Sequence, residues 1–187
     1  AGGVGPLLAV RPRGAVDERE RMNALVDWAL LCTSRVHVAD GGALLLEVGG
    51  SLRLFGGLEA LRQKLSSDLQ QQGCAAVLAC APTARAALWL ACSGRAEACI
   101  DRRALPSLLG SLRLAELGWL PATVRKLRQM GVNTIADCMR LPRAGFVRRL
   151  GNECMREIDQ ALGVQPQLLH RHREPEWFKA QQSFATE

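Results

Sequence analysis

The sequence contains no Cys-x-x-Cys pair. Its seven cysteines stand singly at positions 32, 74, 80, 92, 99, 138 and 154, and its three histidines do not gather around them. This pattern argues against a zinc site, and the odd count argues against a disulfide framework. Most of the cysteines lie in apolar surroundings, which reads as buried, reduced thiols of a cytoplasmic protein. No apolar run reaches bilayer-spanning length, and the start lacks the charged-then-apolar order of a leader. Ala1-Gly2-Gly3-Val4-Gly5-Pro6 reads as an irregular lead-in. A further absence is chemical. The glycine-bounded stretch from Asp40 to Gly57 has the form of a well-made structural element almost free of polar side chains.

The residues present predict a packed protein. Hydrophobic residues make up 48% of the chain, and the formal charge is +6. The excess is uneven: residues 1–100 carry net +1 and residues 101–187 carry net +5. A basic half fits a polyanionic partner, most commonly nucleic acid, although charge alone is equally explained by solubility.

Leu44 to Val48 is apolar and branched and predicts a buried strand; Arg35-Val36-His37-Val38 predicts its partner. Asp40-Gly41 between them predicts a tight type I′ hairpin turn, whose central residues need positive φ. Asp17 and Glu20 form a capping box for a helix carrying Met22, Leu25, Val26, Ala29 and Leu30, with Trp28 in its core face. Leu58, Leu61, Leu65 and Leu69 make the apolar stripe of a second helix, ended by Gly73. Cys74–Cys80 reads as a central strand, Thr83 as the cap of a buried helix from Ala84 to Cys92, and Glu97–Ile100 as a last strand. The expected class is α+β, with a partial sheet of mixed direction and helices packed on one face.

From Pro106 to Gly163 the strand pattern disappears. Short helices are expected at 121–130, from 133 or 134 to 141, at 143–150 and at 152–162. Three segments follow: 1–104 α+β, 105–164 all-α, and 165–187 a linker whose Trp177-Phe178 opens a further unit. Within the helical part, Leu117-Gly118-Trp119-Leu120-Pro121 with the helix after it resembles a helix-hairpin-helix. In that motif a Gly-x-Gly turn offers unpaired N–H groups to a phosphate. Gly118 matches the first glycine, and Leu120 stands where the second is expected. Arg125, Lys126, Arg128, Arg143, Arg148 and Arg149 are the candidate phosphate contacts, against the plainer reading of a solvated basic face.

Taken in order, these parts resemble a Y-family, translesion-type DNA polymerase from late fingers or mid-palm, through the thumb, to the start of the little finger. Active members carry Ser-x-Asp-Glu-Ala-(Phe/Tyr)-Leu-Asp in the palm hairpin. Here Leu46-Glu47-Val48 aligns with the end of that phrase, which puts Gly42 and Ala43 where the family has metal-binding carboxylates. Ala81-Pro82-Thr83-Ala84 aligns with Ala-Pro-Asn-Lys, so Ala84 replaces the phosphate-facing lysine and Leu88 the next one. The family's remaining carboxylate belongs to a first palm strand upstream of Ala1. Asp40 and Glu47 are ligands only in a shifted register. The loss pattern, Leu45–Gly57 and Arg11-Pro12-Arg13 are similar to the catalytically inactive ImuB-type group.

The resemblance implies no catalytic residue, no metal and no cofactor. It implies a bacterial, cytoplasmic, nucleoid-associated adapter in damage-induced (SOS) mutagenesis and translesion synthesis. Its partners would be DNA, the sliding clamp, a RecA-like accessory protein and a DnaE-type error-prone polymerase, contacted mostly through regions outside this chain. An active translesion polymerase and a plain helix-hairpin-helix DNA-binding module are the alternatives. Ser51-Leu52-Arg53-Leu54-Phe55 superficially resembles a clamp-binding peptide, but Leu54 and Phe55 are expected to pack under the following helix. Gln167-Leu168-Leu169 is a weaker match in a more exposed place.

Overall fold

The structure, a computed structural model, describes residues 5–13, 18–39 and 41–169. The capping box on Asp17 and Glu20, the turn residue Asp40, and Trp177-Phe178 lie outside the described residues or side chains. Strand β1 (Leu7–Pro12), helix α1 (Glu18–Leu30), strands β2 (Val36–Ala39) and β3 (Ala43–Glu47), helix α2 (Leu58–Gln71) and strand β4 (Ala76–Ala81) follow one another. The sheet order is β2-β3-β1-β4 with every named pairing antiparallel. This is the split β-α-β arrangement.

Several sequence expectations change here. Leu7–Pro12, where no strand was expected, forms the central strand: Leu8 faces Leu46 on one side and Cys80 on the other. The signal was the apolar run Leu7-Leu8-Ala9-Val10, too short to separate from a loop by periodicity. With β1 in the centre, β4 moves toward the edge, and the sheet is antiparallel where a mixed one was expected. The expected strand at Glu97–Ile100 shrinks to a single parallel bridge, in which Cys80 N–H donates to Glu97 O at 2.8 Å and Cys99 N–H to Cys80 O at 2.9 Å.

The α+β class holds, but helices cover both faces of the sheet where one covered face was expected. Leu8, Val10, Leu44, Leu46 and Leu78 pack against α1 and α2, where Trp28 is buried as expected. Leu7, Ala9, Ala43, Leu45, Val77 and Ala79 pack against α3 (Ala84–Cys92) and the helices beyond it. The cause lies in the strands: consecutive apolar residues alternate between faces, so both faces need covering. Each leucine buried this way contributes roughly 1.5–3 kcal/mol.

The second half comprises α4 (Leu105–Gly110), α5 (Pro121–Gln129), α6 (Ile135–Arg140), α7 (Arg143–Leu150) and α8 (Asn152–Leu162). Its boundaries follow local rules. Pro121 opens α5 at a position that needs no N–H donor, and Thr134 with Asp137 makes a reciprocal capping box for α6. Thr83 caps α3 by accepting from Ala86 N–H at 3.2 Å, and its hydroxyl donates to Ala161 O at 2.8 Å, tying the start of α3 to the end of α8. Trp89 and Trp119 meet edge to face at 6.1 Å, and Trp119 Nε1 donates to Glu157 at 2.9 Å.

The clamp-like peptide is folded into turns rather than extended. Leu54 N–H donates to Ser51 O at 3.0 Å and Gly57 N–H to Leu52 O at 2.8 Å. Phe55 packs inward as expected, but Leu54 is 85% exposed, contrary to expectation.

Candidate nucleic-acid interface

Gly42 and Ala43 sit where β3 begins. Ala39 pairs with Ala43, so the loop holds three residues rather than the two of the expected tight turn. Gly41 and Gly42 both have positive φ, 79° and 75°. A side chain at Gly42 therefore meets an unfavourable backbone. Ala43 is 1% exposed and lies in the apolar layer with Ala9 and Leu45. Ala84 opens α3 and Leu88 follows one turn on, and both are buried. None of these four side chains carries an oxygen or a charge. Among the described residues no group of three or more His, Cys, Asp and Glu is placed to hold a metal.

Glu47, at the end of β3, is engaged elsewhere. Arg35 Nη1 lies 2.9 Å from its Oε2 and His37 Nε2 3.2 Å from its Oε1. Burial pushes the Glu47 carboxyl up, but the hydrogen bonds from Arg35 and His37 outweigh it and hold the group below its ordinary value. Thr33 Oγ1 donates to the Glu47 carbonyl at 2.7 Å. This acid ties β2 and the loop before it to β3.

The basic residues divide into two sets. Arg125, Lys126 and Arg128 project from the exposed side of α5, and Arg148 and Arg149 from the last turn of α7. The two helices meet at their ends: Lys126 Nζ donates to Arg149 O at 2.8 Å, and Arg149 Nη1 reaches Met130 Sδ at 3.6 Å. Among the described residues none of these five has a carboxylate within ion-pair distance, whereas Arg140 and Arg143 do. Arg143 turns inward to Asp159, a partnership that nothing in the local sequence signals. Gly118 has φ 78° and precedes the turn into α5. Leu120, in the place of the motif's second glycine, is 73% exposed at the head of α5. No helix among the described residues is long and apolar enough to cross a membrane.

No protein-family profile matches the chain. Solved structures of like fold are DNA polymerases. One is a DinB-family error-prone DNA polymerase from Sulfolobus solfataricus, with TM-score 0.65 and 16% identity over 80% of this chain and 47% of that one. Another is a ternary complex of Dbh, with TM-score 0.63 and 16% identity over 80% of this chain and 46% of that one. The fold is thus that of part of a Y-family DNA polymerase. In sequence the chain is similar to Protein ImuB of two strains of Caulobacter vibrioides, at 29% identity over 174 residues, 92% of this chain. The resemblance read from the sequence holds in both respects. The chain spans 38% of the length of those curated relatives.

Proposed function

We propose that this chain is a non-catalytic, polymerase-like adapter region that binds DNA in bacterial damage-induced mutagenesis and does not copy it. The observation that carries the reading is the environment of Gly42 and Ala43. Nucleotidyl transfer needs magnesium held by carboxylate oxygens, to activate the attacking hydroxyl and clamp the triphosphate. In the register of the resemblance those positions are a left-handed glycine and an alanine in the core. Glu47, the retained acid at the other end of the same strand, is occupied by Arg35 and His37. The palm-like part would be residues 1–104, the helix-hairpin-helix thumb 105–164, and 165–187 the link to a little finger. The whole protein would organise a sliding clamp, a RecA-like accessory protein and a DnaE-type polymerase.

Primer extension by the full-length protein with magnesium or manganese tests the reading. No incorporation is expected. Robust incorporation that disappears in Glu47→Gln would sink it.

DNA contact is assigned to the face of α5 and α7 carrying Arg125, Lys126, Arg128, Arg148 and Arg149. Arg143 and Gly118 contribute less, because the first is paired and the second leads into the exposed Leu120. Replacing Arg125 and Arg128 by alanine should weaken duplex binding on all sequences alike. It should also lower the salt slope by roughly one for each phosphate no longer neutralised. An unchanged slope would leave this face as solvated charge only.

A further inference from the structure

A cavity of about 820 Å³ lies between the start of β1, the turn before α3 and the segment after α8, and none of the α5–α7 cations lines it. Its floor is apolar, formed by Pro6, Leu7, Pro82 and Ala84. Two large apolar side chains at its walls are left to solvent: Ile100, 69% exposed, and Leu168, 88% exposed. Exposed apolar groups lining a concave surface mark a place where another apolar group is received.

Three further observations define what fits. The cleft carries a cation, Arg102, with Arg103 next to it; both are exposed, and neither has an ion-pair partner among the described residues. The one carboxylate in the lining, Glu47, is already neutralised by Arg35 and His37. Gln167 lines both this cavity and the smaller one beside it, with Leu168 and Leu169, so the wall runs on past the length of a single side chain, as an extended peptide requires.

We propose that this cleft docks an acidic, leucine-bearing extended peptide of a partner protein. Its leucine would enter between Ile100 and Leu168, its carboxylates would lie over Arg102, and its backbone would run past Gln167. The proposal is independent of the DNA reading, because the residues concerned are different ones.

The test is fluorescence anisotropy of the chain with a short fluorescein-labelled peptide of alternating aspartate and leucine. Two control peptides replace leucine by serine or aspartate by lysine. The acidic, leucine-bearing peptide should bind, and each control should bind at least roughly tenfold more weakly. Ile100→Glu and Leu168→Glu change exposed positions and should keep the far-UV circular dichroism of the parent; each should also cost roughly tenfold or more. Arg102→Glu should weaken binding and flatten its salt dependence. Absence of binding, or binding unaffected by Ile100→Glu and Leu168→Glu, would overturn the proposal. So would displacement of the peptide by excess duplex DNA, which would place it on the basic face and leave the DNA reading standing. Concentration-dependent self-association abolished by Leu168→Glu would assign the cleft to a second copy and overturn it equally.

Discussion

Arg143 grips Asp159 with both ends of its guanidinium, Nη1 to Oδ1 at 2.9 Å and Nη2 to Oδ2 at 2.5 Å. The pair joins the first residue of α7 to the inner side of α8, where Asp159 is nearly buried. Two-point geometry of this kind is the strong form of the carboxylate–arginine contact. Arg143 is itself well exposed, so water screens part of the interaction. Arg143→Ala should therefore lower the urea midpoint, and Asp159→Ala should lower it by a similar amount. Arg125→Ala should stay within about 0.5 kcal/mol of the parent, as expected of an exposed side chain without a partner. Equal costs for Arg143→Ala and Arg125→Ala would mean that the α7–α8 pair holds nothing together.

Restoring the family carboxylates should not restore chemistry. Gly42→Asp places a side chain at φ 75°, at a cost of roughly 1–2 kcal/mol. Ala43→Glu drives a charge into a site 1% exposed, where an unpaired carboxylate costs several kcal/mol. The double variant is expected to unfold at clearly lower urea than the parent, and to show no magnesium-dependent incorporation when folded. Incorporation by that variant would show that the strand still has its catalytic geometry.

Acid should destabilise this protein through particular carboxylates. Asp137 is held below its ordinary value, first by the Asn133 backbone N–H and then by the Thr134 hydroxyl. Glu47 is lowered by the bonds from Arg35 and His37, against burial that acts to raise it. A carboxylate with a depressed folded-state pKa binds fewer protons folded than unfolded, so its stabilisation rises with pH. That stabilisation is complete above the ordinary carboxylate range and fades as pH falls through the lowered folded-state value. Urea midpoints measured from pH 7 down to pH 3 should fall on the acid side. Glu47→Gln and Asp137→Asn should each flatten that fall while lowering stability at pH 7. A parent and variants with parallel acid limbs would contradict the assignment.

Whereas α4 had no local signal beyond Pro106, the helical half was legible nearly to the residue from Pro121 onward. Its punctuation is local: Pro121, Gly131, Thr134, Pro142, Gly151 and Gly163 each start or stop a helix by their own chemistry. Gly73 after α2 and Thr83 before α3 behave the same way. The sheet was only half legible, because β1 is decided by its neighbours. Leu7–Pro12 becomes the central strand by pairing with β3 and β4, both far along the chain. The candidate DNA contacts split for the same reason. Arg125 and Arg143 look alike in sequence, and only the packing of α7 on α8 gives Arg143 a carboxylate. Leu54 shows the opposite error, an apolar residue expected inside that the turn at 51–56 directs to solvent.

The cysteines offer a direct measure of how continuous the core is. Cys80 lies in β4, Cys138 in α6 and Cys154 in α8, all buried, and burial pushes the first two thiols up to about 12 and the third to about 11. Cys32, also buried, is raised for the same reason. Thiol reagents attack the thiolate, so these four should be inert in the native protein at pH 8. Cys74, Cys92 and Cys99 are only partly buried and are within reach of a reagent. Labelling with iodoacetamide followed by peptide mapping should therefore mark the partly buried set first, and all seven after unfolding in urea. If the sheet and the helices opened as separate units, Cys138 and Cys154 would label at a lower urea concentration than Cys80. One apolar layer runs from Ala79 through Trp89 to Ile158. Labelling of all three at a common midpoint is the expected result, since a shared core opens cooperatively.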